Sequence, residues 1–501
     1  MDIKRLVILN SSVGLLNQLV NIFFQFLVRS VFLQYLGIEL LGLNSTYASV
    51  ISIFELAELG VQTAVLYNLY APIHNNDIKK INMLINAFGH IYRFIGIVFI
   101  IASFITLPFL KYVISGIEID QTVCLFFLLQ SAGFILPYFF AYKRVLLRAD
   151  QKSYVVSNID LFVNIFMNIL RIFAIIKWGN YYIYLCVTII QVITANLFIN
   201  IVCKKKYPYL ALGKIDISIL KEILSNVKDI FVARIAGYIY ASTDNIIISM
   251  MLNTVTVGFF SNYQMIMKGI KNIVESVLAS LAPLIGQILA GNISNEVKLR
   301  QFKVYMHIRY IIALVVVVPC YVLIDDCITL WIGNTYIMSR GVAILLCVDL
   351  YIHLIHSECC DYINGMGLFK LEKSIEIIGA LINIVSSILL CRSYGVIGIL
   401  TGTVFSQVWF WIGRSYVVYK YCFSAPKNQY ISYWIDNFKF ITIILICVIV
   451  CKVQYLNIMM DILLIRFIIG GIACVVVALI MYAIFYARCE EFKVLLKFLQ
   501  K

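Results

Sequence analysis

Runs of about 20 or more apolar residues recur from one end of the chain to the other, and no other feature restricts the fold as strongly. A helix needs about 20 residues to cross a hydrocarbon core roughly 30 Å thick, whereas the strands of a membrane barrel would be shorter and would alternate apolar with polar positions. The 501 residues are 62% hydrophobic and 13% charged, with a mean hydropathy of +0.93, which excludes a water-soluble fold of that size. The chain is therefore expected to be an all-α integral membrane protein of about fourteen transmembrane helices. They are read at 6–36, 41–70, 82–110, 121–144, 152–177, 180–203, 222–251, 256–289, 301–332, 336–366, 371–391, 395–423, 435–456 and 461–487. The first run is too long for a signal peptide and lacks a small-residue cleavage site, so it is kept as a span. The 14 cysteines are scattered and form no CxxC pair, Cys359 and Cys360 being the closest approach; they read as small apolar packing residues ahead of disulfides or metal ligands.

A net charge of +14 would point to nucleic acid in a soluble protein. Here the basic residues flank apolar runs, and nucleic acid is not an expected partner. They fall in every second connection: Lys79–Lys80, then Lys143 to Lys152, Lys204 to Lys221, Lys298 to Lys303, Lys370–Lys373, Lys420–Lys427 and finally Arg488 to Lys501. The positive-inside rule then puts both termini and the longest loop, about 204–221, in the cytoplasm. That loop divides the chain near its middle. LGIELLGLNSTY (Leu36–Tyr47) aligns without gaps on LNTVTVGFFSNY (Leu252–Tyr263), matching Leu36 with Leu252, Gly42 with Gly258, Ser45 with Ser261 and Tyr47 with Tyr263. Both segments join the first two helices of a half, which suggests a parallel repeat. The expected organisation is a six-helix lobe over 1–212, a second six-helix lobe over 213–424, and a further helical hairpin with a cytoplasmic tail over 425–501.

About ten ionisable groups lie at mid-membrane depth, and at roughly 2.5–3.5 kcal/mol each their sum exceeds the net stability of a typical domain, about 5–15 kcal/mol. Most cannot face lipid. Their spacing gathers them on single helical faces: Asn10, Gly14, Gln18, Asn21, Gln25 and Arg29 in the first span, Asp160, Asn164, Asn168 and Arg171 in the fifth. Hydrogen bonding between helices and internal ion pairs would account for such stripes. Helices one, two, seven and eight hold equivalent places in the two halves, and each carries charge: Arg29; Glu55 and Glu58; Arg234 and Asp244; Lys268, Lys271 and Glu275. That convergence suggests a water-filled, net cationic cavity between the lobes, lined by these eight residues. Lysine and arginine suit phosphate oxygens. In helix ten, Asp349, His353 and His356 follow at i, i+4 and i+7 with Glu358 close by, a spacing open to a coupling role, to a metal, or to satisfied interior polar groups.

No nucleotide-binding loop, HExxH or nucleophile motif stands in a water-facing segment, and the outer connections are too short for a catalytic domain. No enzyme activity, cofactor or resident metal is expected.

YLGIELLGLNSTYASVISIFELAELGVQTAVLYNLYAPIHNND (Tyr35–Asp77), STDNIIISMMLNTVTVGFFSNYQMIMKGI (Ser242–Ile270) and LWIG (Leu330–Gly333) resemble the polysaccharide-biosynthesis flippases. These carry O-antigen, capsule and exopolysaccharide repeat units, and belong to the multidrug/oligosaccharidyl-lipid/polysaccharide exporter superfamily. The resemblance covers nearly the whole chain. It implies a two-lobed bundle in the bacterial cytoplasmic membrane that moves an undecaprenyl-pyrophosphate-linked glycan from the inner to the outer leaflet by alternating access. Membrane lipids, H⁺ or Na⁺ as coupling ion and the repeat-unit polymerase are the implied partners. A lipid II flippase of peptidoglycan synthesis and a multidrug antiporter are the alternatives within the superfamily. The family has no shared catalytic residues to carry over.

Overall fold

The computed structural model describes residues 3–54, 61–210, 242–278, 293–457 and 461–499, with isolated positions between 281 and 291. The described residues contain helices and turns and no strand. Eleven of the helices are long and apolar enough to cross a membrane, so this is a multi-pass membrane protein. One of the eleven, Leu16–Ser52, takes in most of the first expected span and the start of the second on either side of a kink at Gly37, and the seventh expected span, 222–251, falls mostly outside the described residues.

The chain forms two compact units, Met1–Ser261 and Asn262–Lys501. The sequence-based division near residue 212 lies outside the described residues. In the first unit, α1 (Ile3–Ser52) is two helices joined at a kink at Gly37, with φ 84° and ψ 171°, where the first two spans are expected to connect. A glycine allows the kink because it has no Cβ to clash at positive φ. Next come α2 (Val61–His74) and α3 (Ile78–Thr106), the latter capped by Asp77, whose side chain accepts the Lys80 N–H at 3.0 Å. Asp120 caps α4 (Gln121–Ile135) by accepting the Val123 N–H at 2.8 Å, a bond that holds its carboxyl below the usual range.

The fourth span, expected at 121–144, runs over Gln121–Ala149. After Leu136 it loses regular α-helical geometry, passing through a short turn of helix (Pro137–Phe140) and a 3₁₀ turn (Ala141–Lys143), and it continues as α5 (Arg144–Ala149). Pro137 supplies the cause, because it has no N–H to donate and its ring crowds the preceding turn. The unit continues with α6 (Ser153–Trp178), α7 (Tyr181–Lys206), a helical segment over 242–251, and the first turns of α8 (Thr254–Leu278).

The polar stripes of the first and fifth spans face each other. Asn164 donates to Asn21 at 2.9 Å, Gln191 of α7 donates to Asn164, and Arg171 donates to Asn168 at 2.7 Å and to Gln191 at 2.5 Å. These amides knit α1, α6 and α7 together, so for this stripe interhelical hydrogen bonding accounts for the polar residues.

The two aligned glycines meet in space. A Cβ on Gly42 would lie 1.9 Å from the carbonyl oxygen of Thr254, and one on Gly258 would lie 2.5 Å from the carbonyl oxygen of Ile38. In the alignment Ile38 corresponds to Thr254, so each glycine packs on the residue four places before its counterpart. The contact is reciprocal. Both obstacles are backbone, and no rotamer change can relieve them. Gly42→Ala is therefore expected to destabilise the chain by about 1–3 kcal/mol through overpacking. Gly269→Ala, in the same helix as Gly258 with nothing within 4 Å of the added carbon, should instead gain about 0.5–1 kcal/mol from lower backbone entropy. Thermal unfolding of the two variants in one detergent checks this, and equal melting temperatures would contradict the contact.

The second unit holds the rest of α8, α9 (Asn295–Ile332), α10 (Arg340–Met366), α11 (Phe369–Tyr394), α12 (Val396–Val417), α13 (Lys427–Asn457), α14 (Leu463–Tyr486) and the short α15 (Glu490–Leu499). Burial ranks them: 78% of the apolar window of α10 is enclosed, against 17% for α14. Helix α10 is thus the helix the unit is built around, and α14 lies at its periphery.

Candidate functional site

A helix as enclosed as α10 would be expected to be apolar, yet it carries Asp349, His353, His356, Glu358 and Asp361. Each is answered by a neighbouring helix. From α8, Lys271 reaches Asp349 with Nζ 2.7 Å from Oδ2. Gln407 of α12 donates its Nε2 to the other oxygen of Asp349 at 2.9 Å, and its own Oε1 lies 2.8 Å from Nε2 of His356. An amide oxygen only accepts, so that contact places a proton on His356 Nε2. The result is a continuous chain, Lys271–Asp349–Gln407–His356, across three helices.

A second cluster sits toward the C-terminal end of α10. Arg309 of α9 is 1% exposed. Its Nη2 donates to Asp361 at 2.8 Å and to the Tyr305 hydroxyl at 2.8 Å, its Nη1 donates to the Leu354 carbonyl at 3.0 Å, and Tyr305 donates to Asp361 at 2.6 Å. Glu275 stands one turn beyond Lys271, with Oε1 3.6 Å from His353 Nε2 and 3.9 Å from Arg309. That oxygen makes no hydrogen bond among the described residues. Nearby, Arg414 of α12 pairs with Glu372 at 3.2 Å and Glu376 at 3.3 Å, and Glu358 receives the Tyr433 hydroxyl at 3.5 Å.

Among the described residues, three cations, Lys271, Arg309 and Arg414, thus pair with five carboxylates, Glu275, Asp349, Asp361, Glu372 and Glu376, while Glu358 receives the Tyr433 hydroxyl. Among the described residues no three of His, Cys, Asp and Glu converge to hold a metal ion.

The opposite face of α10 is apolar. There a groove of about 790 Å³ is lined by Val348, Tyr351, Ile352, Trp411, Trp434 and Phe438, among others, from α10, α12 and α13. One helix therefore separates a charged network from an oily groove.

The structure brings five residues chosen from the sequence together: Lys271, Glu275, Asp349, His353 and His356. Lys268 is exposed on α8, three residues before Lys271. Arg29 and Asp244 belong to the first unit, where Arg29 donates to Ser261 Oγ at 2.9 Å and Asp244 is half-buried beside Ser242 and Asn245, which bond Ser52 at 2.7 Å and Ser49 at 3.0 Å. Glu55, Glu58 and Arg234 lie outside the described residues. Arg309, Asp361, Gln407 and Arg414 escape the sequence reading. An unexplained arginine in the apolar run of α9 is the one signal that could have found the first of them.

No family model matches the chain, and no curated protein matches it. Solved structures do. A lipid II flippase MurJ in an inward-closed conformation superposes with a TM-score of 0.68 at 16% identity, covering 96% of this chain and 99% of that one. An inward-facing multidrug resistance MATE family transporter of the MOP superfamily gives 0.64 at 15% identity over 82% of this chain and 96% of its own. A point mutant of the MATE transporter VcmN of Vibrio cholerae gives 0.55 at 15% identity over 83% and 96%. At such identities the likeness establishes the fold, which is that of these transporters.

Proposed function

We propose that this chain is a flippase that carries an undecaprenyl-pyrophosphate-linked oligosaccharide from the inner to the outer leaflet of a bacterial cytoplasmic membrane, with both termini in the cytoplasm. The observation that carries the reading is the two-faced environment of α10. A molecule with a charged, sugar-bearing head and a long hydrocarbon tail needs polar and apolar surfaces side by side, and this unit supplies both. Lys268 and Lys271, with Arg29 and Arg234, offer cations for the pyrophosphate, and Glu55, Glu58, Asp244 and Glu275 complete the proposed polar lining. The neighbours' shared fold supports transport as the class of activity.

Lipid II is the second reading, favoured by coverage: the MurJ superposition takes in 96% of this chain, the MATE superpositions 82% and 83%. Reconstituted vesicles offered a lipid-linked oligosaccharide, lipid II and a cationic drug in separate runs would separate the readings. Preference for the first supports the proposal, and transport of the drug alone overturns it.

Asp349, His353 and His356 are proposed to couple transport to H⁺ or Na⁺, because they stand on successive turns of an enclosed helix in contact with Lys271, Glu275 and Gln407. A His353→Ala/His356→Ala double variant should transport with no response to an imposed pH gradient that accelerates the parent protein. An undiminished response would remove the histidines from coupling.

A further inference from the structure

The break in the fourth span leaves a pocket of about 200 Å³ in the first unit. Its walls come from the inner side of the broken helix, including Phe134, Tyr138, Arg144 and Arg148, and from Gln62 of α2 and Tyr92 of α3. The broken geometry is built in. Two carbonyls at the break are taken by side chains of α7: Asn200 donates to Phe140 at 3.3 Å, and the Cys203 thiol to Lys143 at 3.7 Å. Backbone irregularity at membrane depth is tolerated where it is satisfied by protein or lines a cavity, and discontinuous spans recur at ligand sites.

The cations at the pocket differ in their commitments. Arg144 is held by Asp160, with Nη1 and Nη2 at 2.9 and 3.0 Å, and by Asn196, with Nε at 2.9 Å. A guanidinium has five N–H donors, so these three bonds fix its orientation and leave donors to spare. Arg148 is exposed and makes no ion pair or side-chain hydrogen bond among the described residues. Among the described residues no carboxylate lines the pocket. Asp150, close in sequence, is occupied by Lys152 and by the Tyr207 hydroxyl at 2.6 Å. Among the described residues one arginine is therefore pre-positioned and the other unspent, at the end of the unit that also carries Lys143, Lys152 and Lys204–Lys206.

We propose that this pocket binds a phosphate-bearing group, with the two arginines on the phosphate and the aromatic walls against its substituent. The expected source is the head group of an anionic phospholipid in the inner leaflet. Basic pockets between spans on the cytoplasmic side recognise such head groups, and forked guanidinium donors match phosphate oxygens. This site belongs to the first unit, shares no residue with the α10 network of the second, and does not depend on the transported substrate.

The test uses the purified full chain in phosphatidylcholine nanodiscs doped with phosphatidylglycerol, with retained lipid counted by native mass spectrometry. The parent protein should retain phosphatidylglycerol over phosphatidylcholine. Arg148→Gln, and Ala141→Leu, which fills the pocket, should each lower that retention about tenfold or more. Lys143→Gln, which removes a charge outside the pocket, should leave it unchanged. Adding inorganic phosphate distinguishes the sources: retention that persists supports the lipid, and full displacement at low concentration overturns that assignment in favour of soluble phosphate. Retention by Arg148→Gln and Ala141→Leu equal to the parent's, or an equal loss in Lys143→Gln, would overturn the site itself.

Discussion

Replacing Arg309 by methionine is expected to cost about 3–5 kcal/mol of stability, because it removes a fully buried guanidinium from the half-buried Asp361, the Tyr305 hydroxyl and the Leu354 carbonyl. The guanidinium touches Asp361, Tyr305 and the Leu354 carbonyl, and at 1% exposure water cannot replace any of those bonds. Charge removal alone is not the cause. Breaking one side of a buried pair is what destabilises, whereas removing both sides is often close to neutral. An Arg309→Met/Asp361→Asn double variant should recover most of the loss. Resistance to unfolding by a denaturing detergent, measured at matched protein amounts, checks both statements. A double variant no more stable than Arg309→Met would show that the two side chains do not act as a pair.

Replacing Lys271 by alanine is expected to slow transport about ten- to a hundredfold. A charge-assisted hydrogen bond contributes roughly 1.5–3 kcal/mol, which corresponds to that range. In the structure the lysine is already engaged by Asp349, so its proposed task includes changing partners: the phosphate of the head group takes over Nζ while Gln407 continues to hold the carboxylate. Lys271→Arg should keep part of the rate, because the charge remains while the compact ammonium is replaced by a planar fork. Asp349→Asn should weaken the resting pair and shift the response to an imposed gradient. If Lys271→Ala inserts, folds and transports at the parent rate, the lysine serves only Asp349 and has no part in substrate handling.

Much of the fold is legible in the sequence, and the reasons differ by element. Helix α11, expected at 371–391, is found at Phe369–Tyr394, and α9, expected at 301–332, is found at Asn295–Ile332. In both cases a long apolar run ends in glycine or polar residues, and composition alone marks the ends. Two details within these spans depend on single residues. Gly37, at positive φ, makes the kink at which the first two expected helices meet. Pro137 opens an irregular stretch inside the fourth span, where its missing N–H leaves one helical bond unmade. The site was legible by face and not by partner. The i, i+4, i+7 spacing puts Asp349, His353 and His356 on one side of α10. Only the register between helices decides that Lys271, 78 residues away, meets Asp349, and that Gln407, 51 residues away, meets His356. Hydropathy and periodicity say nothing about how one helix slides along another.

The central proposal is movement of a phosphate-linked glycolipid by this chain, and the most direct measurement is made with the purified protein alone. Vesicles loaded on their inner leaflet with an undecaprenyl-pyrophosphate-linked oligosaccharide are probed from outside with a lectin or glycosidase that cannot cross the bilayer. The account predicts that sugar becomes accessible at a rate that rises with the amount of protein and falls about tenfold or more in Lys271→Ala. Accessibility no faster than in protein-free vesicles, under pH and Na⁺ gradients of either direction, would contradict it.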